Sequence, residues 1–196
     1  IEFSILIGVF LSFLFFVPRA SRLMATEFIA TSDRVIRERR PDDPRCDRLV
    51  LMGLEGQLFF GAAPELDQIL ADLTDRARKG IRVIVLRLKR THNPDMVCLE
   101  RLQHFLQDMQ EHGVVVLLCG VRKEFLDAMD RLGFTDWLPM ERIYPEENAE
   151  TNGDPTAMTS TLRAAKRAYE ILGTDLCAGC PRRKETESEK GWYYTI

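Results

Sequence analysis

The chain has 196 residues, of which 45% are hydrophobic, 29% charged and 9% aromatic; this suits one packed domain with extensions and excludes a disordered polypeptide. A formal net charge of −3 offers no broad basic field to gather phosphates, so nucleic acid is disfavoured as a partner. Five cysteines, at positions 46, 98, 119, 177 and 180, make an odd number and fit a reducing compartment better than a disulfide framework.

The chain opens on Ile1 and Glu2 and then an apolar run, residues 3–17, with Ser4 and Ser12 as its only polar members; Pro18, Arg19 and Arg22 come next. A run of about 15 residues falls short of the roughly 20 that a membrane span needs, so residues 1–23 read as the end of a truncated transmembrane helix whose earlier part precedes Ile1. A signal peptide or an anchor has an apolar segment of this length, but no basic region precedes the run and Glu2 stands in its place. The arginines after the run place the downstream residues on the cytoplasmic side of an inner or plasma membrane. Residues 24–47 form a polar connector with a first strand near 34–38; its Arg37, Arg39 and Arg40 face membrane lipid headgroups or solvent.

A regular domain spans residues 48–173. Leu49-Val50-Leu51-Met52-Gly53-Leu54 and Gly56-Gln57-Leu58-Phe59-Phe60-Gly61 read as two short strands joined by a turn. Leu66, Ile69, Leu70, Leu73 and Ala77 then repeat at helical spacing between Pro64 and Gly80. Residues 81–88 are β-branched and apolar enough for a central strand covered on both faces. A loop at 89–94 leads to a helix capped by Asp95, with Leu99, Leu102, Leu106 and Met109 on one face and Gly113 as terminator. The apolar strand 114–119, a helix through Phe125 and Met129 to Gly133, a short strand near 142–144 and a polar loop at 146–154 come next. Pro155 opens a last helix with Leu162, Ala165, Tyr169 and Leu172 on its apolar face, and an irregular tail fills residues 174–196. The element order implies an α/β fold, a mixed sheet of about five to six strands with a parallel centre and about four helices.

No arrangement carries catalysis: the three histidines, His92, His104 and His112, form no zinc signature, and neither a dinucleotide fingerprint nor a P-loop is present. No catalytic residue, cofactor or metal is therefore expected, and an enzyme is disfavoured. Cys177 and Cys180 have the spacing of half a zinc site or a redox pair, but no second pair occurs after them, and unligated thiols are the plainer reading. The loop beyond the central strand is where an open parallel sheet offers a site. There Lys89, Arg90 and His92, with the helix start at Asp95, Met96 and Val97, could hold an anion; alternatively Asp95 already supplies the negative charge as a cap.

With its apolar start, the Leu58-Phe59-Phe60-Gly61-Ala62-Ala63 segment and the strand-loop-helix unit opening at Asp95, the chain resembles the SulP (sulfate permease) family of anion transporters. The carboxyl end of those transporters is a STAS domain, similar in fold to bacterial anti-anti-sigma factors. The resemblance implies a cytoplasmic regulatory and assembly domain of a secondary anion transporter, for sulfate or a related anion such as bicarbonate. Helices would lie mainly on one side of the sheet, the partners being the transporter's own membrane domain, a second copy in a homodimer and a cytosolic protein. The alternative is a membrane-anchored STAS-like partner-binding protein without transport. STAS domains commonly place Asp-Ser-Ser-Gly at the start of the second helix, with a phosphorylated serine in the anti-sigma branch; here Asp95-Met96-Val97-Cys98 carries no hydroxyl at either middle position. A phosphorylation switch there is excluded, whereas docking through Met96 and Val97 stays open beside their being half buried.

Overall fold

The computed structural model of the chain describes residues 2–20, 22–30, 36–146 and 159–176. The apolar start is helix α1 (Glu2–Ala20), and its described side chains, residues 3–12, are all exposed. Among the described residues no helix is long and apolar enough to cross a membrane.

Among the described residues beyond α1 there are six strands: β1 (Met24–Ala30), β2 (Ile36–Glu38), β3 (Leu49–Gln57), β4 (Val83–His92), β5 (Val115–Val121) and β6 (Ile143–Pro145). They form one sheet in the order β2-β1-β3-β4-β5-β6, antiparallel at β2-β1-β3 and parallel from β3 to β6. Helices α2 (Ala63–Arg78), α3 (Met96–Glu111) and α4 (Lys123–Arg131) connect the parallel strands, and α5 (Ser160–Leu176) closes the domain. The count agrees with the expected mixed α/β sheet.

Alternation along the strands decides which helix covers which face. Val50, Met52 and Leu54, Ile84, Leu86 and Leu88, and Val116 and Leu118 pack with α2, α3 and α4 in one core. Leu49 and Leu51, Val83 and Val85, and Leu117 and Cys119 point the other way, against Ala164, Ala165, Ala168 and Leu172 of α5. A strand buried on both faces must be apolar at every position, which is why the centre of β4 has no polar side. Three helices on one face and one on the other give the lopsided layering expected from the resemblance.

Three readings of the sequence need correction. The connector contains a full strand, β1, beside the short β2; only the latter falls in the expected window, of which residues 34 and 35 lie outside the described residues. The two short strands expected after Leu49 are not joined by a turn: β3 runs from Leu49 through Gln57 with only a shift of register between Gly53 and Glu55, and the end of the second falls in a 3-10 turn at Phe60–Ala62. Within β3 a Cβ at Gly53 would meet the Phe28 ring at 2.5 Å, so the glycine makes room for an aromatic side chain on β1. The expected loop at 89–94 is mostly strand, since β4 continues through His92 in register with Gln57. The expected loop at 146–154 falls, after Glu146, outside the described residues, as does Pro155. In α5 the helical backbone breaks at Gly173 (φ 64°).

Leu118 is fully buried at the middle of β5. Leu118→Ala is expected to destabilise the domain by roughly 2–5 kcal/mol, read as a lower urea midpoint with an unchanged slope.

Candidate docking surface

The carboxyl ends of β3, β4 and β5 and the amino end of β1 meet at one pole, because β1 runs antiparallel to β3 and pairs Met24 with Glu55. Arg22 and Leu23 lie against Gly56, whose φ of +132° and a would-be Cβ only 2.7 Å from the Arg22 carbonyl admit no side chain. The backbone at Arg22 and Leu23 is thereby held at this pole.

Two turns build the rest of the pole and are laced together. The Leu58 N–H donates to the His92 carbonyl at 2.8 Å, the Asp95 N–H to the Leu58 carbonyl at 2.8 Å, and the Cys98 thiol to the Phe59 carbonyl at 3.2 Å. Asp95 caps α3, its Oδ1 accepting from the Cys98 N–H at 3.0 Å, and Asn93 takes a left-handed φ of 49° where the chain leaves β4. Leu58, Ala62 and Ala63 anchor the first turn in the core. Phe59 is half-buried and meets Phe60 edge to face at 5.3 Å. What projects is apolar: Phe60 is 70% exposed, Met96 60%, Met24 59% and Val97 40%. The other large exposed hydrophobics of the α/β body among the described residues, Met140 and Ile171, are elsewhere, so the pole holds a concentration rather than a scatter.

The basic residues expected around an anion are partnered. Lys89 is ion-paired with Glu146; Arg90 donates to Glu55 Oε1 at 2.8 Å; His92 Nδ1 lies 3.1 Å from an Arg122 nitrogen. Asp95 faces the α3 start as a cap. Lys89 thus turns away from the helix it was expected to serve and holds the opposite layer. Glu146 also accepts from Ser160 Oγ at 2.8 Å, and Arg87 reaches Thr161 Oγ1 at 3.3 Å while stacking 5.2 Å from the Phe28 ring centroid, so this polar group pins the start of α5. Burial pushes the Glu146 carboxyl up, but the bonds from Lys89 and Ser160 and the charges of Lys89 and Arg87 outweigh it, and the net shift is downward.

Arg37 and Arg39, expected near lipid or solvent, are engaged with Asp43 and Glu27 on the β1–β2 side. Cys98 and Cys119 are buried free thiols pushed up to about 12 by burial, with the Asp95 charge adding to the shift at Cys98. Cys46 is half-buried, and Cys177 and Cys180 lie outside the described residues. Sequence reasoning missed Met24, Phe60, Arg122 and the carboxylates Glu55 and Glu146. The available signal for Phe60 was a doubled aromatic before glycine, of which only one ring can turn inward.

The sequence model of the STAS domain family matches residues 40–149. A structure of a sulfate transporter family protein from Wolinella succinogenes is 28% identical, over 48% of this chain and 75% of that one, with a TM-score of 0.42. The murine Solute Carrier 26 family member A9 anion transporter in the inward-facing state superposes with a TM-score of 0.62 at 12% identity, over 76% of this chain and 26% of that one. A further structure of SLC26A9 gives 0.59 at 13% identity, over 72% and 25%. These two establish likeness of fold, and the chain spans about a quarter of their length. No curated protein matches the chain.

Two outcomes are expected at this pole. Asp95→Ala should cost about 1 kcal/mol by denaturant titration, and Asp95→Asn much less, because asparagine also accepts from the α3 amide. A lowered folded-state pKa at Glu146 means that its contribution is present above the ordinary glutamate value and is lost as pH falls through the lowered one. The difference in urea midpoint between the native chain and Glu146→Gln should therefore be largest at neutral pH and vanish in acid.

Proposed function

The chain belongs to the STAS domain family, and from that premise we propose that it is the cytoplasmic regulatory and assembly domain of a membrane secondary anion transporter carrying sulfate or a related anion such as bicarbonate. The observation that carries this reading is the join between α1 and β1: an apolar helix followed by arginine leads, within three residues, into the first strand of a STAS sheet. Such a join suits a domain hung directly beneath a membrane protein. The likeness of fold to an anion transporter supports the same reading.

In this reading the domain performs no chemistry. Its partners are the transporter's own membrane domain, a second copy of the chain and a cytosolic protein. The membrane attachment of residues 1–23 belongs to the same proposal. In this reading Lys89, Arg90 and His92 serve the fold rather than an anion, being engaged with Glu146, Glu55 and Arg122.

The test is uptake of labelled sulfate and bicarbonate by vesicles holding the polypeptide extended upstream of Ile1. Saturable uptake that falls when residues 24–176 are deleted is expected. An upstream sequence that supplies only a start methionine and a few basic residues, with no uptake, would make the chain an anchored partner-binding protein instead.

A further inference from the structure

We infer that the pole formed by Met24, Phe60, Met96 and Val97, with Arg122 and Lys123 beside it, rests on the lipid surface of the membrane into which α1 leads. The inference depends on the membrane attachment proposed above and goes beyond it by assigning the occupant of an exposed apolar surface.

Chain length makes the first case. Three residues separate the last residue of α1 from Met24, and four extended steps reach at most about 14 Å. Leu23 is buried in the sheet core and the Arg22 carbonyl is fixed against Gly56, so that short connection starts at the pole itself. An apolar phase that holds α1 therefore lies within a few residues' reach of Met24. The other end of the sheet, where α2 ends at Arg78, is the length of a strand further away.

The chemistry makes the second. Phe60, on the turn after β3, and Met96, at the first position of α3, stand out from backbone that the Leu58–His92 and Asp95–Leu58 bonds tie together, so exposing them is a property of the fold and not of a loose loop. Arg122 and Lys123, at the start of α4, are exposed at the same ends of the parallel strands and are placed for phosphate groups. Apolar side chains that enter the headgroup boundary by about 5–10 Å, with cations above them, are the pattern of an interfacial contact. Met24 at the start of β1, Met96 at the start of α3 and Phe60 on a turn suit a fluid surface, which needs no matching pocket. Of the three basic residues expected near lipid or solvent, Arg37 and Arg39 hold Asp43 and Glu27, and Arg40 is exposed on the β1–β2 side with no exposed apolar cluster beside it among the described residues, so the pole is the better placed surface.

The experiment uses the whole chain with Cys46, Cys177 and Cys180 changed to serine; Cys98 and Cys119 remain, being buried and too weakly acidic to label. A fluorophore sensitive to polarity is attached through Phe10→Cys, Phe60→Cys, Met96→Cys or Lys79→Cys, all at exposed positions. Each sample is mixed with phosphatidylcholine–phosphatidylglycerol vesicles carrying a nitroxide near the headgroup or deep in the acyl chain. Labels at 60 and 96 should shift to the blue and be quenched more by the shallow nitroxide than by the deep one, that at 10 should be quenched, and that at 79 should be unaffected. Quenching at 10 without quenching at 60 and 96 overturns the inference, since a protein or solvent then covers the pole, and leaves the transporter reading standing. Absence of quenching at 10 removes the membrane attachment itself, and both readings fall together.

Discussion

Two-sided burial of β3, β4 and β5 is the constraint on which the other features depend. Val83 and Val85 face α5 while Ile84 and Leu86 face α2 and α3, and all four are inaccessible to water. No charge can be accommodated at mid-strand without a partner. Arg87, the first cation along β4, is tolerated at the edge of the α5 layer because Thr161 accepts its Nε and the Phe28 ring receives its face. Side chains able to meet another molecule are therefore pushed to the strand ends, and the connections of a parallel sheet gather the turns after β3 and β4 at the same end. The pole's position is set by the core before any of its own residues is considered.

The parts of the fold legible in the sequence are those where one periodicity runs unbroken. Leu66, Leu70 and Leu73 in α2, and Leu99, Leu102, Leu106 and Met109 in α3, each mark one buried helical face, and the cap at Asp95 is local chemistry that needs no tertiary context. What was not legible depends on contacts distant in sequence. The turn expected between Leu54 and Gly56 is only a shift of register within β3, visible once its pairing with β4 is known. Residues 89–92 of β4 read as loop because beyond Leu88 the strand pairs with β3 past the last paired residue of β5, so Lys89, Arg90 and His92 can be polar while remaining in the ladder. β1 escaped notice because Glu27 interrupts its apolar pattern; the carboxylate is stabilised by Arg39 and Arg76, which lie just past β1's neighbour β2 and on α2's last turn.

The same limit applies to the site. Lys89, Arg90 and His92 form an anion cluster when only their spacing is known, but an anion is attracted by charge left over after local pairing. Glu146 and Glu55 lie far from them in sequence and neutralise two of the three, while Arg122 occupies the third by hydrogen bonding. Pairing Lys89 with Glu146 also accounts for the way α5 is held. Its buried face is built of Ala164, Ala165 and Ala168, small residues that allow close approach but bring little area, so polar bonds at Ser160 and Thr161 supply the direction that packing alone leaves loose.

At the start of α3 the fold keeps the geometry of a cap and presents apolar side chains just beyond it. Met96 and Val97 occupy the first two helical positions, where the backbone N–H groups need no intrahelical partner and side chains project outward, so polarity there is not dictated by stability. A hydroxyl at either position would have let a phosphate dianion, favoured by the helix dipole, turn an apolar surface into a charged one. Neither residue offers one. The nearby hydroxyl, Thr91, is buried and donates to the Leu88 carbonyl at 2.7 Å, so it is spent on closing the end of β4. The apolar character of Met96 and Val97 is accordingly fixed by the sequence rather than set by phosphate at those positions, and control of the surface they form must come from what it touches.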